Sequence, residues 1–222
     1  MDFFKRIPLH FTGELHDVRL INFTVDMNEV ASSVPAHIKV RDFNGRAMIS
    51  MVDVKLRNMR PTIMPLLPFN YRHVAFRLLI DDSKLNDGIN KGIYFIKGFT
   101  QNSVLIAGST LLTDYKLSKA TIDETESCVT VTQQDNHVTY RLCEGVPADN
   151  QSLKEIVGSI DRAYAMLGDR MRVTQIQRER WPLKAVNCTG FDTSFFKTAQ
   201  FVGAFRVFET IHYDWLPSKF VD

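Results

Sequence analysis

The chain has 222 residues, of which 45% are hydrophobic and 23% are charged, and its formal net charge is +2. This balance is typical of a globular protein with a substantial core, and it excludes a disordered chain. A charge so close to neutral gives no electrostatic basis for binding nucleic acid. The length suits one large domain, or two small ones at most, and because no linker divides the chain we predict a single domain over residues 1–222.

The sequence contains no segment that predicts membrane insertion or secretion. No apolar run approaches the roughly 20 residues that span a bilayer. The first residues lack the long apolar stretch of a signal peptide. The three cysteines, Cys128, Cys143 and Cys188, are odd in number and lack metal-ligand spacing. We therefore expect a cytoplasmic protein with buried, unpaired thiols and no membrane partner.

Most of the chain alternates β-branched or apolar residues with polar ones, which is the pattern of half-buried strands. A short helix is predicted at residues 26–33, which end just before Val34 and the following proline. Single strands are predicted at residues 47–55, 73–80, 92–99 and 204–215. Two hairpins are predicted as well, pairing residues 104–107 with 110–117 and residues 127–132 with 137–142.

A longer helix is predicted over about residues 152–167. Ser152 and Glu155 have the spacing of a capping box, and Gly168 is suited to the C-terminal end. One face of this helix is apolar, formed by Leu153, Ile156, Val157, Ile160, Tyr164 and Leu167. The predicted fold is therefore mainly β (α+β): an antiparallel β-barrel or cone with this longer helix and the short one at residues 26–33.

Two cations in the predicted strands are candidates for a ligand site. Arg77 shares a strand face with Ala75 and Leu79, so an inward orientation would bury its charge. A buried guanidinium needs a carboxylate, either from the protein or from a ligand. Lys97 is predicted to share a face with Phe95 and could supply a second cation to the barrel interior.

The sequence lacks the local motifs of several enzyme classes. It has no nucleophile elbow, no phosphate-binding loop and no zinc-protease motif, and its six histidines are scattered along the chain. No cofactor and no metal site is therefore predicted. The aromatic residues Tyr94, Phe95, Phe99 and Tyr115 are predicted to line the barrel interior.

Several segments occur in an order that points to a known family. A strand, an Asp-led helix, Val-Pro and a second strand are predicted at residues 16–40. They are followed by His73-Val-Ala-Phe-Arg, Gly92-Ile-Tyr-Phe and Gly203-Ala-Phe-Arg-Val-Phe-Glu-Thr-Ile-His-Tyr-Asp-Trp-Leu-Pro. This order resembles the uncharacterised bacterial branch of the acetoacetate decarboxylase-like superfamily. The resemblance implies a β-barrel or cone with a ligand cavity, and a homo-oligomer.

The decarboxylases of that superfamily form a Schiff base between a lysine and a β-keto acid. This chemistry needs a neutral lysine, which burial or a neighbouring cation can supply. The resemblance places the reactive lysine at Lys116, after Ile106-Ala107-Gly108. The sequence departs from the family at three positions: Leu117 replaces a second lysine, His73 a pocket glutamate and His16 an arginine near the first strand.

Three functions follow as hypotheses. The first is binding of a small carboxylate or keto-acid-like ligand in a barrel cavity, with candidate contacts at Arg77, His73, His16, Lys97 and Tyr94. The second is an active, cofactor-free β-keto acid decarboxylase that uses Lys116 as its Schiff-base nucleophile. The third is a non-catalytic barrel, filled by its own aromatic side chains, that serves assembly.

Overall fold

A computed structural model describes residues 9–62, 66–86, 88–112, 115, 117–126, 128–143, 147 and 150–221. The helices in these ranges are α1 (Met27–Ala31), α2 (Ser103–Leu112) and α3 (Gln151–Gly158). The strands are β1 (Phe11–Asp26), β2 (Asp42–Phe43), β3 (Arg46–Pro61), β4 (Phe69–Leu79), β5 (Gly92–Thr100), β6 (Leu117–Lys119), β7 (Thr121–Thr125), β8 (Cys128–Gln133), β9 (Asn136–Cys143), β10 (Arg162–Leu167), β11 (Arg170–Arg178), β12 (Lys184–Thr193), β13 (Gln200–Val207), β14 (Ile211–Trp215) and β15 (Lys219–Phe220). The predicted mainly β fold class is confirmed.

Seven strands close into a barrel because the long strand β1 pairs with β3 on one side and with β14 on the other. The order around the barrel is β1-β3-β4-β5-β10-β11-β14. Most neighbours are antiparallel, as predicted, while β5 pairs with β10 and β6 in parallel. The later half of β1 also pairs with β13, from which β12, β9, β8 and β7 extend a second sheet.

Two large hydrophobic clusters lie on the two faces of the barrel wall, and a small third one contains Ile38, Ile80 and Tyr164. Ala75 and Leu79 of β4 belong to the cluster on the inner face, to which Leu153 and Val157 of α3 also contribute. Phe76 and Leu78 pack on the outer face against the second sheet. The predicted division of this strand into two faces is therefore confirmed. The end of α3 lies beside the end of β11, and we call this end of the barrel the base.

An ion-pair network also joins the barrel to the second sheet. Asp53 of β3 is 1% exposed and accepts hydrogen bonds from Arg72 Nε (2.8 Å) and Nη2 (2.5 Å). The buried Tyr140 hydroxyl of β9 donates to the same carboxylate. Glu124 of β7 binds Arg72 Nη1 (2.7 Å) and Arg19 Nη2 (2.5 Å). Burial, with Asp53 nearby, raises the pKa of Tyr140, so its hydroxyl stays protonated and able to donate.

The predicted long helix over residues 152–167 is wrong in its second half. Helix α3 ends at Gly158, and residues 162–167 form β10, paired with β11 and β5. The apolar residues at the start of the pattern do pack inside the barrel, but the later ones satisfy the period of a strand instead. Asn150, rather than Ser152, caps α3, since its Oδ1 accepts from Leu153 N at 3.0 Å. Gly168, with φ +64°, serves the β10–β11 turn.

Two other element predictions are corrected. Residues 103–112 form helix α2 instead of a hairpin, because a short apolar run suits either state and Asn102 Oδ1 caps the N–H groups of Val104 and Leu105. The predicted final strand is two strands, β13 and β14, which pair with different parts of β1. The hairpin of β8 and β9 is confirmed.

The environment of the cysteines also differs from the expectation. Cys143 is exposed, and Cys128 and Cys188 are only partly buried. Burial still raises the pKa of the Cys188 thiol to about 11, which makes it a poor nucleophile at neutral pH.

Candidate ligand-binding cavity

The barrel encloses a cavity of about 740 Å³, which is within the range of ligand sites in proteins. Its walls are mostly apolar, and the aliphatic side chains among them include Leu15, Val18, Val52, Val54 and Leu56. Val104 of α2 lines the cavity and is 79% exposed, so the cavity reaches the surface beside this helix. At the base, Ile160 and Trp181 close it next to α3.

The inner face of β4 changes in character along the strand. Phe69, Tyr71, His73 and Arg77 all line the cavity, in the order aromatic, phenolic, imidazole and guanidinium. Alternate residues of a strand share one face, so their spacing places them in a row from one end of the barrel to the other. The strand thus presents an apolar end and a charged end to the same space.

Arg77 is a buried cation, 6% exposed. Its Nε donates to the Ser50 carbonyl at 3.1 Å, and its Nη2 donates to Ser50 Oγ at 2.8 Å. Within the described part of the chain it forms no ion pair with a carboxylate. Burial lowers its pKa to about 9, and the nearby Arg178 adds to the effect. The protein therefore holds a cation here against its desolvation cost, without a counter-charge from any described side chain.

Arg178, at the end of β11, is a second cation in the cavity. Its Nη2 donates to the carbonyl oxygens of Ile160 (2.6 Å) and Gly158 (3.2 Å), which hold the guanidinium near the end of α3. Burial lowers its pKa to about 10. The guanidinium carbons of Arg178 and Arg77 lie 4.3 and 5.9 Å from the Trp181 ring centroid. Both cations therefore lie near the same indole.

Trp181 brings an unused hydrogen-bond donor to this position. The residue is 9% exposed and lines the cavity, and its Nε1 has no acceptor among the described residues. A buried polar group without a partner costs about 1–3 kcal/mol. An acceptor on a bound molecule would remove that cost.

His73 and Tyr115 form a neutral pair between the two ends of the cavity. His73 Nε2 lies 2.8 Å from the Tyr115 hydroxyl. Burial, helped by the charge of Arg77, lowers the pKa of His73 to about 4, and burial with Tyr71 nearby raises the pKa of Tyr115. Both groups are therefore uncharged at neutral pH, and the pair offers hydrogen bonds rather than charge.

Neither a metal site nor a membrane-spanning helix is found in the described ranges. No group of three or more His, Cys, Asp or Glu side chains is placed to hold a metal ion there. None of the helices in that part of the chain is both long and apolar enough to cross a membrane.

Comparison with family profiles gives one match, over residues 12–214. The matching family is DUF2071, described as an uncharacterized conserved protein. The chain belongs to the DUF2071 family. No curated protein matches the sequence significantly.

Solved structures similar to this DUF2071 member share its fold at low sequence identity. An acetoacetate decarboxylase-like enzyme from Sphingomonas wittichii RW1 matches with a TM-score of 0.67 and 10% identity, over 96% of this chain and 93% of the other. Acetoacetate decarboxylase from Legionella pneumophila matches with a TM-score of 0.64 and 11% identity, over 96% of this chain and 87% of the other. The third match is the enduracididine biosynthesis enzyme MppR, complexed with a condensation product of pyruvate. Its TM-score is 0.63 at 10% identity, over 97% of this chain and 89% of the other. The predicted acetoacetate decarboxylase-like fold in an uncharacterised family is confirmed.

The structure of this DUF2071 member brings three of the six predicted site residues to the cavity: Arg77, His73 and Tyr94. His16 does not line the cavity; its Nε2 lies 2.9 Å from Glu14 Oε2. Lys116 lies outside the described residues.

Lys97 does not share the face of Phe95, so that prediction is wrong. A bulge at Ile96 interrupts β5, since Phe76 pairs with Lys97 while Arg77 pairs with Phe95. The extra residue moves Lys97 to the outer face, where it is exposed and its Nζ lies 5.6 Å from the Phe195 ring centroid.

The sequence reasoning missed the cavity residues of β11. Arg172, Thr174, Ile176 and Arg178 alternate along this strand, and all four line the cavity. The period of two was visible in the sequence and could have suggested an inward face with an arginine at each end. No local signal pointed to Trp181, because its position depends on how the chain after β11 packs against α3.

Proposed function

We propose that the protein binds an organic carboxylate in the barrel cavity, with Arg77 and Arg178 as the groups that recognise the charge. The observation that carries this proposal is the pair of guanidiniums, 5.9 and 4.3 Å from one buried indole. A bound carboxylate would supply the counter-charge for Arg77 that the described residues do not. It would also offer an acceptor to Trp181 Nε1. A barrel filled by its own side chains is not favoured, because about 740 Å³ stays open.

The solved neighbours support a ligand of this class. MppR has been solved in complex with pyruvate, with a TM-score of 0.58 to this chain at 10% identity. Because the identity is low, the likeness supports a carboxylate as the class of ligand rather than any particular contact.

Calorimetric titration of the Arg77→Met variant tests the proposal. Acetoacetate, pyruvate, phenylpyruvate and octanoate are the probes, and at least one should bind the wild type. We expect the variant to bind that ligand at least about 30-fold more weakly, because removal of one partner of a buried charge pair costs 2 kcal/mol or more. Arg141→Met is the matched control, since Arg141 is exposed on β9 and should leave affinity unchanged. Equal affinity in wild type and Arg77→Met, or no binding of any probe, would refute the proposal.

A second candidate is decarboxylation of a β-keto acid through an imine on Lys116. The chain neighbours of this lysine, Tyr115 and Leu117, both line the cavity. If the Lys116 amine reached this cavity, the apolar walls and the cavity guanidiniums would lower its pKa, as imine formation requires. The amine would attack the ketone with loss of water. Carbon dioxide would then leave with its bond electrons moving to the iminium nitrogen, and protonation and hydrolysis would regenerate the lysine.

Borohydride trapping tests this second candidate. The protein is incubated with acetoacetate and sodium borohydride, and intact mass and a peptide map locate any reduced adduct. We expect one adduct on Lys116 that is lost in Lys116→Met and retained in Lys119→Met, which alters an exposed lysine of β6. Absence of an adduct, when an active acetoacetate decarboxylase is labelled in parallel, would count against imine chemistry on this substrate. Carboxylate binding would be unaffected by that result.

A further inference from the structure

We propose that the natural ligand is a monocarboxylate with a long apolar body, such as a medium-chain fatty acid, bound with its carboxylate at the base and its body toward the open end. This inference rests on the proposed carboxylate binding and adds the chemical class of the ligand. It follows from how charge and apolar surface are distributed along the cavity.

The charged end of the cavity lies at the base of the barrel. Arg178 donates to Gly158 and Ile160 at the end of α3, and its guanidinium shares the Trp181 ring with that of Arg77. A carboxylate held between the two guanidiniums would therefore sit beside α3, at the closed end.

The opposite end of the cavity carries a cluster of apolar side chains. Strand pairing brings Phe11 of β1 next to Pro61 of β3 and Trp215 of β14, and Met59 next to Phe69. All five line the cavity, and we call them the apolar rim. Phe69 and Arg77 are eight residues apart on β4, which corresponds to about 26 Å at 3.3 Å per residue. The cavity thus offers a long apolar path that begins at the two cations.

The polar groups along this path already have hydrogen-bond partners in the protein. His73 and Tyr115 bind each other and are uncharged at neutral pH. A third arginine of the described cavity wall, Arg172, donates to Ser218 Oγ, and its guanidinium carbon lies 5.5 Å from the Phe220 ring centroid. Arg172 has its own contacts in the wall, whereas Arg77 and Arg178 share one indole, so we place the single carboxylate of the ligand at the base.

The size of the cavity favours a ligand larger than acetoacetate. Even if each of the roughly seven non-hydrogen atoms of acetoacetate took as much space as a water molecule, about 30 Å³, the ligand would fill little more than a quarter of the 740 Å³. The unfilled remainder is bounded by apolar side chains, which gain favourable contacts only if the ligand has an apolar body.

Calorimetric titration with a series of straight-chain acids tests the inference. Butanoate, hexanoate and octanoate are compared with 1-octanol, which keeps the apolar body and lacks the charge. Each added methylene should tighten binding about fourfold, so octanoate should bind more than a hundredfold more tightly than butanoate. Octanol should bind at least about 30-fold more weakly than octanoate.

Two failures of this test would have different meanings. Equal affinity for butanoate and octanoate would overturn the apolar body and leave carboxylate binding intact. Equal affinity for octanol and octanoate would instead overturn carboxylate recognition itself.

Substitutions that fill the apolar path give a second test. Leu56→Phe adds bulk to the cavity wall between the base and the apolar rim. It should lower the affinity for octanoate at least tenfold and leave the affinity for butanoate unchanged. Val54→Phe serves the same purpose if the first variant does not fold. Unchanged octanoate affinity in a folded variant would show that the body of the ligand does not lie along this wall.

Discussion

Replacement of Asp53 by Asn is expected to lower the free energy of unfolding by about 3 kcal/mol. Asp53 is 1% exposed, binds Arg72 through two hydrogen bonds, and lies 3.9 Å from Arg19 Nη1. The neutral amide can still accept from Tyr140, but it cannot balance the two guanidiniums. Because breaking a buried ion pair leaves an uncompensated charge, the loss is larger than for an exposed pair.

Thermal unfolding and urea titration would measure this effect. For a chain of this length, 3 kcal/mol corresponds to a decrease in Tm of about 6–12 °C. Asp123→Asn is the matched control, because Asp123 is exposed on β7 and forms no ion pair within the described ranges. A decrease of less than about 2 °C in Asp53→Asn would show that the network contributes little to joining the second sheet to the barrel.

Replacement of Gly98 by Val is expected to disrupt the middle of the cavity. A Cβ at this position would lie 1.7 Å from the Tyr115 hydroxyl and 2.4 Å from its Cζ, so the tyrosine must move. Its hydrogen bond to His73 would then be lost. We expect destabilisation of about 2–3 kcal/mol, the usual range for overpacking, and a decrease in ligand affinity of about tenfold or more.

Gly108→Ala is the control for this substitution. Gly108 also lines the cavity, but a Cβ there has open space within 4 Å and lies in helix α2, where Ala is favoured over Gly. Its stability and ligand affinity should stay within about 1 kcal/mol of the wild type. If Gly98→Val behaves like Gly108→Ala in both calorimetry and thermal unfolding, the packing of Tyr115 against β5 has no role in the site.

Local sequence patterns were sufficient to predict much of the barrel wall. The period of two in β4 placed Arg77 with Ala75 and Leu79 on one face and Phe76 and Leu78 on the other, because successive strand residues point to opposite sides. The alternation of valines in β8 likewise predicted its hairpin with β9. The order of the segments was sufficient to predict an uncharacterised family with an acetoacetate decarboxylase-like fold.

The same patterns could not decide between helix and strand in segments whose local signal suited both. The apolar run in α2 carries no strand or helix period of its own, and the apolar stripe after Ile160 fits a helix until β10 pairs with β5 and β11. Lys97 left its predicted face because one bulged residue reverses the sides of a strand. These outcomes depend on hydrogen bonds to distant strands.

The amino-acid sequence by itself determined the mainly β fold class, the family and the strand face that Arg77 shares with Ala75 and Leu79, since each depends on residues close together in the chain or on their order. Only the tertiary structure decided that this arginine and Arg178, about a hundred residues later, lie near the same ring of Trp181. The physical reason is that a closed barrel brings β4, β11 and α3 around one cavity, and no local period encodes which distant side chains meet there.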